Sequence, residues 1–95
     1  MMAYTLIYSQ ASREQIRSLH PDARAIIKRR ILDLRDNPFC GKTLERELSG
    51  YYSLRTKRYR VIYKILQESN TVQIHYVGHR KDIYEILKEK FTRED

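Results

Sequence analysis

Five basic residues, Arg55, Lys57, Arg58, Arg60 and Lys64, fall between Leu48 and Gln67 with no acidic residue among them. They are interleaved with tyrosines in the run Tyr51-Tyr-Ser-Leu-Arg-Thr-Lys-Arg-Tyr-Arg-Val-Ile-Tyr-Lys-Ile-Leu66. Positive charge beside aromatic rings suits a polyanion that carries bases, so RNA or DNA is the first partner class to consider. A planar arginine fork can hold a phosphate through two hydrogen bonds. Arg60 is the first candidate for that role, because a side chain on a rigid strand keeps the geometry that a site needs. Lys57 and Arg58 fall in a turn and suit mobile electrostatic contacts, which position a nucleic acid without reading its sequence.

A second constellation lies near the C-terminus, Val77-Gly-His-Arg-Lys-Asp-Ile-Tyr84. His79 can exchange a proton near neutral pH. Arg80 and Lys81 add charge, and Tyr84 comes four residues after Arg80, so a helix beginning here would set both on one side. Each has a plainer explanation: a solvated strand arginine, a surface histidine, a core tyrosine. Other chemistry finds little support. There is no glycine-rich phosphate loop, and His20, His75 and His79 with Cys40 lack metal-ligand spacing, so no cofactor or metal is expected. No carboxylate pair or Ser-His-Asp arrangement stands out.

These residues need elements to position them. Alternation predicts strands over Tyr51–Arg55 and Tyr59–Leu66, joined by a tight basic turn. On the second strand Tyr59, Val61, Tyr63 and Ile65 share one face, and Arg60, Ile62, Lys64 and Leu66 the other. Thr71–Val77 reads as a further strand with Val72, Ile74 and Tyr76 on one face, after a turn at Glu68–Asn70. Gly78 allows a bend, and a helix from Lys81 or Asp82 through Phe91 has Ile83, Ile86 and Leu87 as its apolar side. Upstream, Tyr4–Tyr8 reads as a strand. Ser9 or Ser12 caps a helix, Ser12 with Gln15 having capping-box spacing, and His20-Pro21 stops it. Pro21 opens a second helix with Asp22 in its favourable first turn. Ile26, Ile27, Ile31 and Leu34 form its core stripe, and Asn37-Pro38 ends it. Thr43–Leu48 is a short strand or an irregular edge. The order is β-α-α-β-β-β-α: an α+β fold with a twisted antiparallel sheet, a helical hairpin on one face and a basic groove on the other.

The 95 residues fit one small domain over 1–95. Hydrophobic content of 41% supports one core, and 33% charged residues with a net charge of +7 predict attraction to an acidic partner. The single cysteine excludes an internal disulfide and fits a reducing cytoplasm. The N-terminus lacks the pattern of a signal peptide, and no segment approaches membrane-spanning length.

Leu54-Arg55, a short turn and Tyr59-Arg60-Val-Ile-Tyr63, followed by Val77-Gly-His-Arg…Tyr84, resemble two motifs of the RelE/ParE toxin superfamily, and the element order is similar to its fold. The resemblance implies a toxin of a type II toxin–antitoxin system. In the RelE branch it implies a ribosome-dependent endoribonuclease, an mRNA interferase, that works without a metal. The RNA 2′-hydroxyl attacks the adjacent phosphate, leaving a 2′,3′-cyclic phosphate and a 5′-hydroxyl. It also implies roles. Arg60 would stabilise the transition-state phosphate, Arg80 would neutralise charge or protonate the leaving group, Tyr84 would stack on a base or orient the RNA, and His79 would act as acid or base. Arg55 would bind the backbone; beside these roles, Lys57, Arg58, Lys64 and Lys81 are the further candidates for RNA binding by their charge. Tyr51 and Ser53 stand where RelE itself has lysines, so its lysine-based proton transfer is not available in that form. The ParE branch shares the scaffold but poisons DNA gyrase, and an inert homologue acting as a binding module with its antitoxin at operator DNA is a third alternative. The implied partners are a cognate acidic antitoxin, the ribosome and mRNA, with DNA contacted only through the antitoxin and no membrane.

Overall fold

A computed structural model of the chain describes residues 3–93. The order is β1 (Thr5–Tyr8), α1 (Gln10–Arg17), α2 (Pro21–Asp33), β2 (Lys42–Thr43), β3 (Tyr51–Arg55), β4 (Tyr59–Leu66), β5 (Thr71–His79) and α3 (Ile83–Arg93). One five-stranded sheet runs β1-β5-β4-β3-β2. The α+β fold with a helical hairpin and a terminal helix is the one expected, and β3 and β4 have the expected ends. The sheet is mixed rather than purely antiparallel, because β1 joins the free edge of β5 in parallel register. Alternation within a strand carries no information about the direction of its neighbour.

Local chemistry explains the helix starts. Ser9 caps α1, its hydroxyl oxygen accepting the Ser12 N–H at 3.1 Å. Gln15 takes no part in a capping box; its Oε1 accepts the Val77 N–H at 2.6 Å and ties α1 to β5. His20 caps α2 through Nδ1, and Pro21 occupies the first helical position, where a missing N–H costs nothing. Ile27, Ile31 and Leu34 are fully buried on the sheet. Ile26, expected in that stripe, is 58% exposed, since it lies one residue off the i, i+4, i+7 line. In α3 Ile83 and Leu87 are buried, and Ile86 is 45% exposed for the same reason.

Each sheet face has its own core. On one, Ile16, Ile27, Ile31 and Leu34 pack on Leu54, Val61, Tyr63, Val72, Ile74 and Val77. On the other, Ile83 and Leu87 of α3 pack on Ile62 and Tyr76. Tyr76 was expected beside Val72 and Ile74. A register shift at Ile62/Tyr63 inserts one extra residue in β5 and sends Tyr76 to the α3 face. The Ser9 hydroxyl donates to the His75 carbonyl at 2.8 Å, satisfying the backbone where the ladder is interrupted.

Gly78 shows how tightly α3 is seated. A Cβ there would lie 2.8 Å from Ile83 Cδ1. Gly78→Ala is expected to displace the start of α3 and destabilise the fold by roughly 1–3 kcal/mol, the usual range for overpacking. Urea denaturation checks this; an unchanged midpoint would show that α3 is not seated on Gly78.

Candidate nucleic-acid site

Arg55, Arg60 and Arg80 are carried at one end of the sheet, where β3 turns into β4 and β5 ends. Arg55 and Arg60 are directly opposite each other in the β3–β4 register. Arg60 projects from β4 on the α3 face, opposite the Tyr59, Val61 and Tyr63 stripe. Its Nη1 donates to the Thr56 and Tyr59 carbonyls, both at 3.0 Å, which ties the guanidinium to the turn. Nε and Nη2 have no protein acceptor among the described residues, so the fork keeps donors for a ligand. Arg80 arrives by a different route from the one expected. It precedes α3 rather than sharing a helical side with Tyr84, and its backbone N–H bonds the Arg58 carbonyl at 2.7 Å. Arg55, Arg60 and Arg80 have no carboxylate within ion-pair distance among the described residues. Like charges facing each other across a ladder are destabilising, and a bound anion relieves the repulsion.

Tyr84 reaches this face because Ile83 and Leu87 lay α3 across Ile62 and Tyr76. Its hydroxyl is 3.0 Å from Ser53 Oγ, which fixes the ring while 40% of the residue stays exposed. A held, half-open aromatic ring is what stacking on an unpaired base requires.

The remaining candidates are dispersed. His79 is paired with Tyr59, with ring centroids 5.8 Å apart, and therefore lies on the helical-hairpin face, away from Arg60. Its Nδ1 accepts the Lys81 N–H at 3.2 Å, so the ring caps the turn before α3. Strand β5 runs two residues beyond Val77, and this extension determines which way His79 points. Lys57 and Arg58 border a groove with His20, Asp22 and Ile26 beside the start of α2. Lys64 stays on the α3 face, its Nζ 5.0 Å from the Tyr51 ring centroid. Lys81 lies exposed in the turn after β5.

Lys42 escaped the sequence reading. It lies outside every expected strand, with no pattern marking it as one. The structure pairs it with Ser53, while Lys64 pairs with Tyr51. The two β3 positions that lack a lysine are thus each flanked by one from a neighbouring strand.

A family model described as the ParE toxin of type II toxin–antitoxin systems matches residues 4–84. Toxin RelG of Mycobacterium tuberculosis is 39% identical over 85 residues, covering 87% of this chain and 98% of that toxin. Among solved structures, the toxin–antitoxin complex RelBE2 from Mycobacterium tuberculosis aligns with a TM-score of 0.79 at 36% identity, over 84% of this chain and 94% of the matched one. A free, substituted form of E. coli toxin RelE shares the fold, with a TM-score of 0.74 at 24% identity over 97% and 98% of the two chains.

Proposed function

The chain belongs to the RelE/ParE superfamily of type II toxin–antitoxin toxins, and from that premise we propose that it is a metal-independent endoribonuclease that cleaves mRNA on the ribosome and so inhibits translation. The observation that carries this reading is the set of arginines carried at one sheet end, Arg55 opposite Arg60 with Arg80 just after β5, which have no carboxylate partner among the described residues, together with the partly exposed Tyr84 ring held at Ser53 on the same strand as Arg55. In the reaction the RNA 2′-oxygen loses its proton and bonds to phosphorus. The bond from phosphorus to the 5′-oxygen breaks, and that oxygen gains a proton. The products are a 2′,3′-cyclic phosphate and a 5′-hydroxyl.

Arg60, anchored by two carbonyls, binds the phosphate oxygens where charge accumulates in the transition state; preorganised donors are most effective there. Arg80 neutralises the leaving oxygen, Tyr84 stacks on a base, and Arg55 with Lys64 and Lys81 holds the backbone. His79 is left outside the reaction centre, because its ring lies on the other face and Nδ1 is engaged by Lys81 N–H. The cellular counterpart is a cognate antitoxin, in keeping with relatives solved as toxin–antitoxin complexes. Its acidic character would complement the +7 net charge. Action on ribosomes places the protein in the cytoplasm, and among the described residues no helix is long and apolar enough to cross a membrane.

Incubating the protein with purified ribosomes programmed with mRNA tests the reading. Codon-phased 5′ ends carrying hydroxyls are expected, and a 2′-deoxy nucleotide at the scissile position should abolish them. Intact mRNA would reject it. The family model's description as a ParE toxin favours gyrase poisoning as a second reading. Linear DNA trapped from supercoiled plasmid by gyrase and this protein, with mRNA intact, would establish that alternative.

A further inference from the structure

The open edge of the sheet beside β3 holds a cleft of ≈ 280 Å³ that borders the arginine site described above. Three elements each send one cation to its wall: Arg30 from α2, Lys42 from β2 and Arg55 from β3. Cys40, Gly41, Ser53 and Leu54 line the rest, and no carboxylate does. Arg30 Nη1 is held by Asp33 Oδ2 at 2.9 Å, whereas Lys42 and Arg55 have no acidic partner among the described residues. The cleft exists because β2 is only two residues long. Its register ends at Ser53, so Leu54 and Arg55 lie beyond the paired edge.

The support under Lys42 is firm. Tyr63 Oη donates to the Pro38 carbonyl at 2.6 Å and accepts the Gly41 N–H at 3.1 Å, pinning the loop that leads into β2. The cleft is also continuous with the arginine site. It shares Arg55, which faces Arg60, and Ser53, which meets Tyr84. Strands lie about 4.8 Å apart, so β2 is about 10 Å from β4 across the sheet, within reach of a neighbouring phosphate on an extended strand.

We propose that this edge cleft is a second phosphate subsite, in which Lys42, with Arg55 and Arg30, binds a phosphodiester of single-stranded RNA next to the one held at Arg60. The assignment rests on the endoribonuclease reading for the identity of the polyanion. It adds a path for the strand over the sheet edge and a residue, Lys42, that holds the strand without taking part in bond breaking.

Binding of a fluorescent 2′-O-methyl RNA oligonucleotide, which cannot undergo 2′-oxygen attack, measured by anisotropy from 50 to 200 mM salt, isolates this subsite from cleavage. Lys42→Ala is expected to weaken binding about three- to tenfold at the lowest salt and to reduce the slope of log K against log salt by about 0.7, the value for one phosphate contact on a single strand. Lys28→Ala removes an equal charge from the exposed α2 surface bordering a different groove, and should change neither quantity. Slopes equal for Lys42→Ala and wild type would overturn the subsite, as would an equal loss in Lys28→Ala. Absence of wild-type binding would overturn it too. If wild type leaves ribosome-bound mRNA intact but the Lys42→Ala slope still falls, the subsite stands and the endoribonuclease reading fails.

Discussion

Arg60→Ala is expected to lower ribosome-dependent mRNA cleavage about tenfold or more, because it removes a fixed guanidinium from the phosphate as charge develops. Fixation distinguishes it from the other basic residues of the hairpin. Its Nη1 is shared between the Thr56 and Tyr59 carbonyls, so the remaining donors are preorganised at no cost during the reaction. Those bonds also brace the turn, so a thermal melt must accompany the rate, and the assay belongs well below the melting temperature. Arg60→Lys should recover little, since an ammonium cannot bond the turn and grip a phosphate in the same geometry. Arg80→Ala should cause a comparable loss with less effect on folding, because the contact placing Arg80 uses its backbone N–H. Wild-type cleavage by folded Arg60→Ala would remove Arg60 from the mechanism.

The largest stability effect is expected at Tyr63. Its ring is fully buried, and its hydroxyl serves the Pro38 carbonyl and the Gly41 N–H together. Tyr63→Phe leaves both groups without that partner inside the fold. At about 1–3 kcal/mol for each unsatisfied group, a loss of roughly 2–6 kcal/mol follows, or at least about 8 °C in Tm for a domain of this size. Burial pushes the hydroxyl pKa up from 10.0; the Gly41 N–H opposes the shift, and Cys40 and Tyr52 add to it. A group raised in the folded state contributes fully below its unfolded value and loses that contribution as pH rises above it. Wild-type stability should therefore fall from about pH 10 upward as the unfolded tyrosine ionises, and Tyr63→Phe should flatten that fall. Guanidinium denaturation at pH 8 and pH 11 checks both statements. A Tyr63→Phe melt within 2 °C of wild type would show that the loop before β2 does not depend on this hydroxyl.

The same residues show how far a chain can be read. Arg60 was legible because β4 alternates without interruption up to it, so parity assigned its face. Tyr76 and His79 were not. At the bulge that moves Tyr76, the carbonyl of His75 is met by the hydroxyl of Ser9, 66 residues earlier in the chain. The position of His79 depends on β5 continuing two residues past Val77 to pair with Tyr59. Ile26 and Ile86 fit the spacing of the core stripes yet stay exposed, because a helical stripe is wider in sequence than the strip a sheet covers. Lys42 gave no signal, since a two-residue strand carries no periodicity.

By itself, the sequence determined the fold class, the two main hairpin strands, the basic character and the sheet face of Arg60. These follow from short-range alternation, turn chemistry and net charge, which neighbouring residues settle among themselves. Only the tertiary structure decided which of those groups meet. Arg55 faces Arg60, Tyr84 reaches Ser53, Lys42 flanks Ser53 and His79 turns away, because strand register, a bulge and the seating of α3 on Gly78 are fixed by contacts between distant segments. A change of one residue in any of these registers would send the same side chains to the opposite face.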